Sequence, residues 1–124
     1  MEYNGGSKTS EVAKLNEIVT QISRLDKVES VFAASRAGVF TTGSTPNMTD
    51  RAMFSAIASM MLGAAEQLGR EMGDDLDHVL LELKKSNMLI IGAGPKHIIG
   101  LEVQQGQDVR AVLMKVKEMI ANGQ

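Results

Sequence analysis

The chain has 124 residues, 44% of them hydrophobic, and a formal net charge of -2, which suits one domain with its own core and supplies no global basic field for nucleic acid. Aromatic residues are few (Tyr3, Phe32, Phe40, Phe54) and Trp is absent, so base-stacking platforms are not expected. The absence of Cys excludes disulfides, thiolate nucleophiles and Cys-ligated zinc, and it fits a reducing, cytoplasmic setting.

Residues 1–8 are polar and Gly-rich and read as a flexible tail without the apolar core of a signal peptide; residues 9–124 read as a single domain. A first helix is expected from Thr9 or Ser10, either of which can cap it, with Glu11 in its first turn. Val12, Leu15, Ile18, Val19 and Ile22 recur at helical spacing and form one apolar stripe, closed by Leu25. The period then changes. Residues 31–34 read as a buried strand, Arg36-Ala37-Gly38 as a turn and residues 39–42 as the returning strand of a hairpin. Residues 43–47 form a loop. Asn47 or Thr49 can cap the next helix, and Asn47 with Asp50 resembles a capping box. That long helix is expected over residues 49–72, with Gly73 as its αL terminus.

Beyond it, residues 77–84 alternate, with Val79, Leu81 and Leu83 on one face and His78, Leu80, Glu82 and Lys84 on the other. Lys85-Ser86-Asn87 is a turn, residues 88–91 a short apolar strand, residues 92–96 a second turn and residues 98–103 a third strand interrupted by Gly100. A last helix begins near Gln107 or Asp108, buries Val109, Val112, Leu113, Val116 and Ile120, and ends at Asn122-Gly123. The element order is α-β-β-α-β-β-β-α. It predicts an α+β three-layer sandwich: a five-stranded, mostly antiparallel sheet with the long helix on one face and the two terminal helices on the other.

Few residues suggest chemistry. Gly92-Ala93-Gly94-Pro95-Lys96-His97 lacks the glycine spacing and Lys-Ser/Thr ending of a phosphate loop and precedes a strand, so it reads as a β-turn. His78 and His97 are the only histidines. No HExxH-type helix accompanies them, and they read as strand-edge residues rather than metal ligands. Asp74, Asp75 and Asp77 lack calcium-loop spacing. Ser35, Ser44 and Ser86 lack a nucleophile elbow. Arg36, at a hairpin tip, could reach a partner's phosphate site as an arginine finger, but the simpler reading is a solvated turn residue. No catalytic residue, metal site or cofactor is assigned, and an enzyme is the weakest reading.

The middle helix is the informative segment. Residues 52–65, AMFSAIASMMLGAA, run fourteen residues without a charge. At about 1.5 Å per residue this is roughly 21 Å, too short to span a bilayer. A helix apolar on all sides must be buried on all sides, and its own sheet covers only one. The stripe Met53, Ile57, Met60, Met61, Ala64 and Leu68 is expected to face the sheet. The small residues Ala52, Ala56, Ser59 and Gly63 are expected to form a close-packed homodimer seam. Gly63 costs the helix roughly 1 kcal/mol against Ala, and the adjacent methionines supply adaptable contact surface.

Three stretches together resemble the roadblock / dynein light chain family of Ras-like GTPase regulators: the hairpin over residues 28–42, with Arg36 and Gly38 at its tip; the Ala/Met-rich helix ending at Gly73; and the strands near residues 79–83 and 88–91. The resemblance spans about residues 11–121, with Ser35 where the family often carries an acidic residue. It implies a layout close to the profilin-like and longin-like sandwiches. It also implies a dimer in which the middle helices pack together and the strand near residues 78–84 pairs with its twin. An exposed, Leu-rich edge would otherwise invite aggregation. The residues expected at a dimer or partner interface are Ala52, Met53, Ala56, Ile57, Ser59, Met60, Gly63, Ala64, His78, Leu80, Leu81 and Glu82.

The function implied is a non-catalytic regulator or scaffold, a homodimer that binds a small Ras-like P-loop GTPase and modulates its nucleotide cycle. No nucleic acid, membrane or small-molecule substrate is expected. The alternative is a structural, light-chain-like adaptor that holds a larger complex together without nucleotide dependence. A ligand sensor fits less well, because convergent polar groups are lacking.

Overall fold

A computed structural model describes residues 5–106 and 108–123. The elements are α1 (Gly5–Ser23), β1 (Val28–Ser35), β2 (Phe40–Gly43), a short 3-10 turn (Pro46–Met48), α2 (Arg51–Glu71), β3 (Val79–Glu82), β4 (Ser86–Ala93), β5 (His97–Gln104) and α3 (Val109–Gly123). The strands form one sheet in the order β2-β1-β5-β4-β3, and every neighbouring pair is antiparallel. No helix among the described residues is long and apolar enough to cross a membrane.

The three-layer expectation holds. Period-2 alternation divides each central strand between two cores. Val31 and Ala33 of β1, Leu89 and Ile91 of β4, and Ile99, Leu101 and Val103 of β5 meet α1 and α3, which contribute Leu15, Ile18, Val19, Ile22, Val112, Leu113, Val116 and Ile120. Phe32, Ala34, Met88, Ile90 and Ile98 turn to the opposite face and meet Ala58 and Leu62 of α2. With both faces covered, these strands read as continuous apolar runs rather than alternating ones. Gly100 makes room for Phe32: a Cβ there would lie 2.7 Å from the ring. That ring meets Phe54 of α2 edge-on, with centroids 5.9 Å apart.

Several boundaries differ from the sequence reading. Helix α1 begins at Gly5, so residues 5–8 of the expected tail are helical, and residues 1–4 lie outside the described residues. Once the packed turns of a helix exist, each added turn needs no new nucleus. Val12, expected in the buried stripe, is exposed. Strands β1, β4 and β5 each run to eight residues, longer than expected, because ladder pairing extends past the apolar run. The turn between β3 and β4 moves back accordingly, closed by the Leu83 N–H donating to the Ser86 carbonyl. Strand β3 is shorter than expected and leaves out His78, Leu83 and Lys84.

The start of α2 is also corrected. Asp50, not Asn47 or Thr49, is the N-cap. Its carboxylate accepts from the backbone N–H groups of Ala52 and Met53 at 3.0 and 3.2 Å. Asn47 instead takes a left-handed conformation, φ 52°, inside the preceding turn. At the other end Gly73 adopts φ 71°. Its N–H donates to the Arg70 carbonyl, and that of Asp74 to the Gly69 carbonyl, the two bonds of a Schellman motif.

Candidate assembly surface

The main correction concerns the roll of α2. The residues turned into the sheet are Phe54, Ser55, Ala58, Met61 and Leu62. The stripe expected to face it is turned outward, apart from Met61: Met60 is 69% exposed, Leu68 63% and Met53 60%, with Ile57 and Ala64 also exposed. The spacing from Met53 through Ile57, Met60 and Ala64 to Leu68 keeps one side of the helix, so these residues form a continuous apolar strip. Ser55, by contrast, is fully buried and its hydroxyl has no hydrogen-bond partner.

The expected small-residue seam lies on the flank nearest the β1–β2 hairpin. The backbone at Gly38, φ 91°, comes so close that a Cβ there would be 3.1 Å from the Cα of Ala56. Ser59 is half-buried and donates to the Arg36 carbonyl at 2.5 Å. Ala52, Ala56 and Gly63 are exposed, and a Cβ on Gly63 would meet nothing within 4 Å. Within the chain, therefore, nothing demands a glycine there.

Strand β3 is the outer strand at its end of the sheet. The Leu83–Ser86 bond sets the ladder's alternation. Leu81 and Val79 bond toward β4, while the backbone groups of Leu80 and Glu82 point out from the open edge. The side chains of Val79 and Leu81 pack under α2, whereas Leu80 and Leu83 are exposed. Of the expected interface set, the structure thus gathers Met53, Ile57, Met60 and Ala64 into one strip and Leu80 and Glu82 on an open edge. Leu81 is turned inward. His78 sits in the loop before β3, where its Nδ1 is 2.7 Å from a carboxylate oxygen of Asp77. Val39, Leu83 and Met72, outside the expected interface set, are exposed as well.

Two polar clusters flank the surface. The Lys117 ammonium of α3 lies 2.5 Å from the other carboxylate oxygen of Asp77, so Asp77 ties α3 to the loop entering β3. The hydrogen bond from Lys117, and then that from His78, hold the Asp77 carboxyl below its ordinary value. On the hairpin side, Arg36 Nη1 donates to both carboxylate oxygens of Glu66 at 2.9 Å, and Nε donates to the Gly94 carbonyl at 3.3 Å. The guanidinium is therefore folded back onto its own chain. It is neither the solvated turn residue expected nor extended as a finger would be. Among the described residues, no three His, Asp or Glu side chains converge as a metal-holding group.

An α-β-β-α-β-β-β-α sandwich with an unpartnered middle helix beside an open edge strand carries a family signature over most of its length, and the Roadblock/LC7 domain model matches residues 14–102. The chain belongs to the Roadblock/LC7 domain family. Solved members share its fold at low identity. Myxococcus xanthus MglB superposes with a TM-score of 0.79 at 13% identity, over 98% of this chain and 89% of that one. A Roadblock/LC7 domain from Streptomyces avermitilis gives 0.75 at 14%, over 86% and 92%. The gliding protein MglB of Thermus thermophilus gives 0.73 at 11%, over 90% and 89%. No curated protein matches the Roadblock/LC7 chain in sequence.

Proposed function

We propose that this Roadblock/LC7 protein is a non-catalytic homodimeric regulator or scaffold for a small Ras-like P-loop GTPase. The observation that carries the assembly half of this reading is the exposed apolar strip from Met53 to Leu68, lying beside the open edge of β3. Large apolar strips left in water mark interaction sites, and an unpaired strand edge is a template for a second strand. A second copy satisfies both at once. Its α2 covers the strip, and its β3 extends the sheet through Leu80 and Glu82.

The GTPase half rests on membership of the family and on the resemblance to Ras-like GTPase regulators. In this mechanism the chain supplies no nucleotide-binding residue. The paired α2 helices and neighbouring loops hold the GTPase's own switch segments in one arrangement, so that hydrolysis is raised or one nucleotide state is favoured. The folded-back Arg36 leaves the stabilisation of transferred phosphate to residues of the GTPase.

The test is phosphate release by a candidate Ras-like GTPase with and without this chain, alongside binding to its GTP- and GDP-loaded forms. Binding that selects the GTP form, with a changed release rate, is the expected result. Tight binding indifferent to nucleotide, with no rate change, replaces the regulatory reading by that of an adaptor subunit.

A further inference from the structure

Arg36 is engaged through its backbone N–H and carbonyl and, on the side chain, through Nε and Nη1. Its N–H donates to the Lys96 carbonyl at 2.9 Å, and its carbonyl accepts from Ser59 Oγ at 2.5 Å. Its Nε donates to the Gly94 carbonyl and its Nη1 to both oxygens of Glu66. One residue therefore joins the tip of the β1–β2 hairpin, the turn between β4 and β5, and two points on α2. It also forms part of the wall of a cleft of about 370 Å³ at this end of the sandwich, shared with Glu66, Leu62 and Gly92.

The guanidinium reaches Glu66 by crossing Gly92. A Cβ on Gly92 would lie 2.5 Å from Nη2 of Arg36. Gly92 sits inside β4, where a glycine weakens a strand. Its φ is not positive, so no turn requires it. A Cβ there would oblige the tip of the Arg36 side chain to move aside.

Apolar character alone leaves the roll of α2 open. The stripe through Met53, Ile57, Met60, Ala64 and Leu68 is as apolar as the one buried, and the buried one includes Ser55. The hydrophobic effect is non-directional and does not choose between them. Ser59 and Glu66, two helical turns apart on one side of α2, are both held by Arg36. Rolling α2 about its axis would carry both residues away from Arg36, so the two attachments together oppose it. We propose that Arg36, seated on Gly92, is the positioning residue that sets the roll of α2 and thereby decides which stripe is presented to a partner. The last step rests on the assembly proposed above; the positioning of α2 does not.

The test is a cycle of Arg36→Ala, Gly92→Ala and the double variant, read by the methyl NMR signals of Met60 and Met61, by thermal unfolding and by the dissociation constant of the assembly. Arg36→Ala should shift both methyl signals and lower Tm by roughly 5 °C, and Gly92→Ala, whose Cβ meets only the movable tip of the Arg36 side chain, should shift them toward the same positions by a smaller amount. The double variant should be no worse than Arg36→Ala, because the added Cβ then displaces nothing. Assembly should weaken by roughly tenfold in Arg36→Ala. Glu66→Gln, which keeps an acceptor and the side-chain shape, should shift the methyl signals less than Arg36→Ala does. Unmoved methyl signals in Arg36→Ala, or a Gly92→Ala cost that simply adds to that of Arg36→Ala, would overturn the positioning role. A wild-type chain that stays monomeric would sink the assembly reading, while the methyl signals still decide the roll.

Discussion

Replacing Met60 by glutamate separates folding from assembly. Met60 is 69% exposed, so the isolated chain loses little contact, and glutamate is a good helix former. Folding stability should stay within about ±0.5 kcal/mol of wild type. Assembly responds differently. Fully burying a Met side chain contributes about 1.5–3 kcal/mol, and the 69% still exposed scales this to about 1–2 kcal/mol per protomer. A two-fold interface counts each substitution twice, giving about 2–4 kcal/mol before any cost of desolvating two facing carboxylates. At about 1.4 kcal/mol per decade, the dimer should weaken roughly 30- to 1,000-fold. Sedimentation velocity across a concentration series measures this, and a melt of the diluted chain by circular dichroism checks the fold. Unaltered association would place the seam elsewhere. A collapsed melting temperature would mean that Met60 packs within its own chain.

Three further outcomes follow from named contacts. Gly63→Ala should raise the stability of the dilute chain by about 0.5–1 kcal/mol in urea unfolding, since a Cβ there meets nothing within 4 Å; a loss would reveal a neighbour packed against it. Gly100→Ala should cost about 1–3 kcal/mol by the same assay, because the new methyl group meets the Phe32 ring at 2.7 Å, and a neutral result would mean that the ring moves aside freely. Asp77→Asn tests the clasp to Lys117 and His78. A carboxyl held below its ordinary 3.8 stabilises the fold at pH above that value and loses the contribution as pH falls through its folded-state value. The variant should therefore have a lower urea midpoint than wild type at pH 7, and the gap should close in acid. A gap that persists or widens in acid would assign the effect to something other than the charge.

The order of elements was legible because each local signal had one solution. Helices α1 and α3 concentrate most of their apolar residues on one side, so the burial of Leu15, Ile18 and Ile22, like that of Val112, Val116 and Ile120, followed from the pattern. Gly38 and Gly73, at positive φ, marked a turn and a helix end that few other residues can occupy. The cap differs because Asn47, Thr49 and Asp50 are all competent N-caps; Asn47, a residue that tolerates the left-handed conformation, lies in the preceding turn, and Asp50 caps the helix.

The assembly surface was legible as a segment but not as a face. Fourteen charge-free residues announce a helix that needs covering on more than one side. Which side meets its own sheet is not written in that run, because a helical wheel sorts residues by polarity and this helix is apolar nearly all round. The structure buries Ser55 and exposes Met60, the reverse of what hydrophobicity ranks. The sheet offers Phe32, Met88 and Ile90 as a fixed relief, into which Phe54, Ala58 and Leu62 fit. The attachment of Arg36 to Glu66 joins residues thirty positions apart, a pairing that no local pattern encodes. What the sequence determined by itself was the set of elements, their order and the existence of an uncovered apolar helix, since these follow from periodicity and turn chemistry within a few residues. What only the tertiary structure decided was the roll of that helix and the fate of Arg36, since both depend on shapes and charges that meet through space.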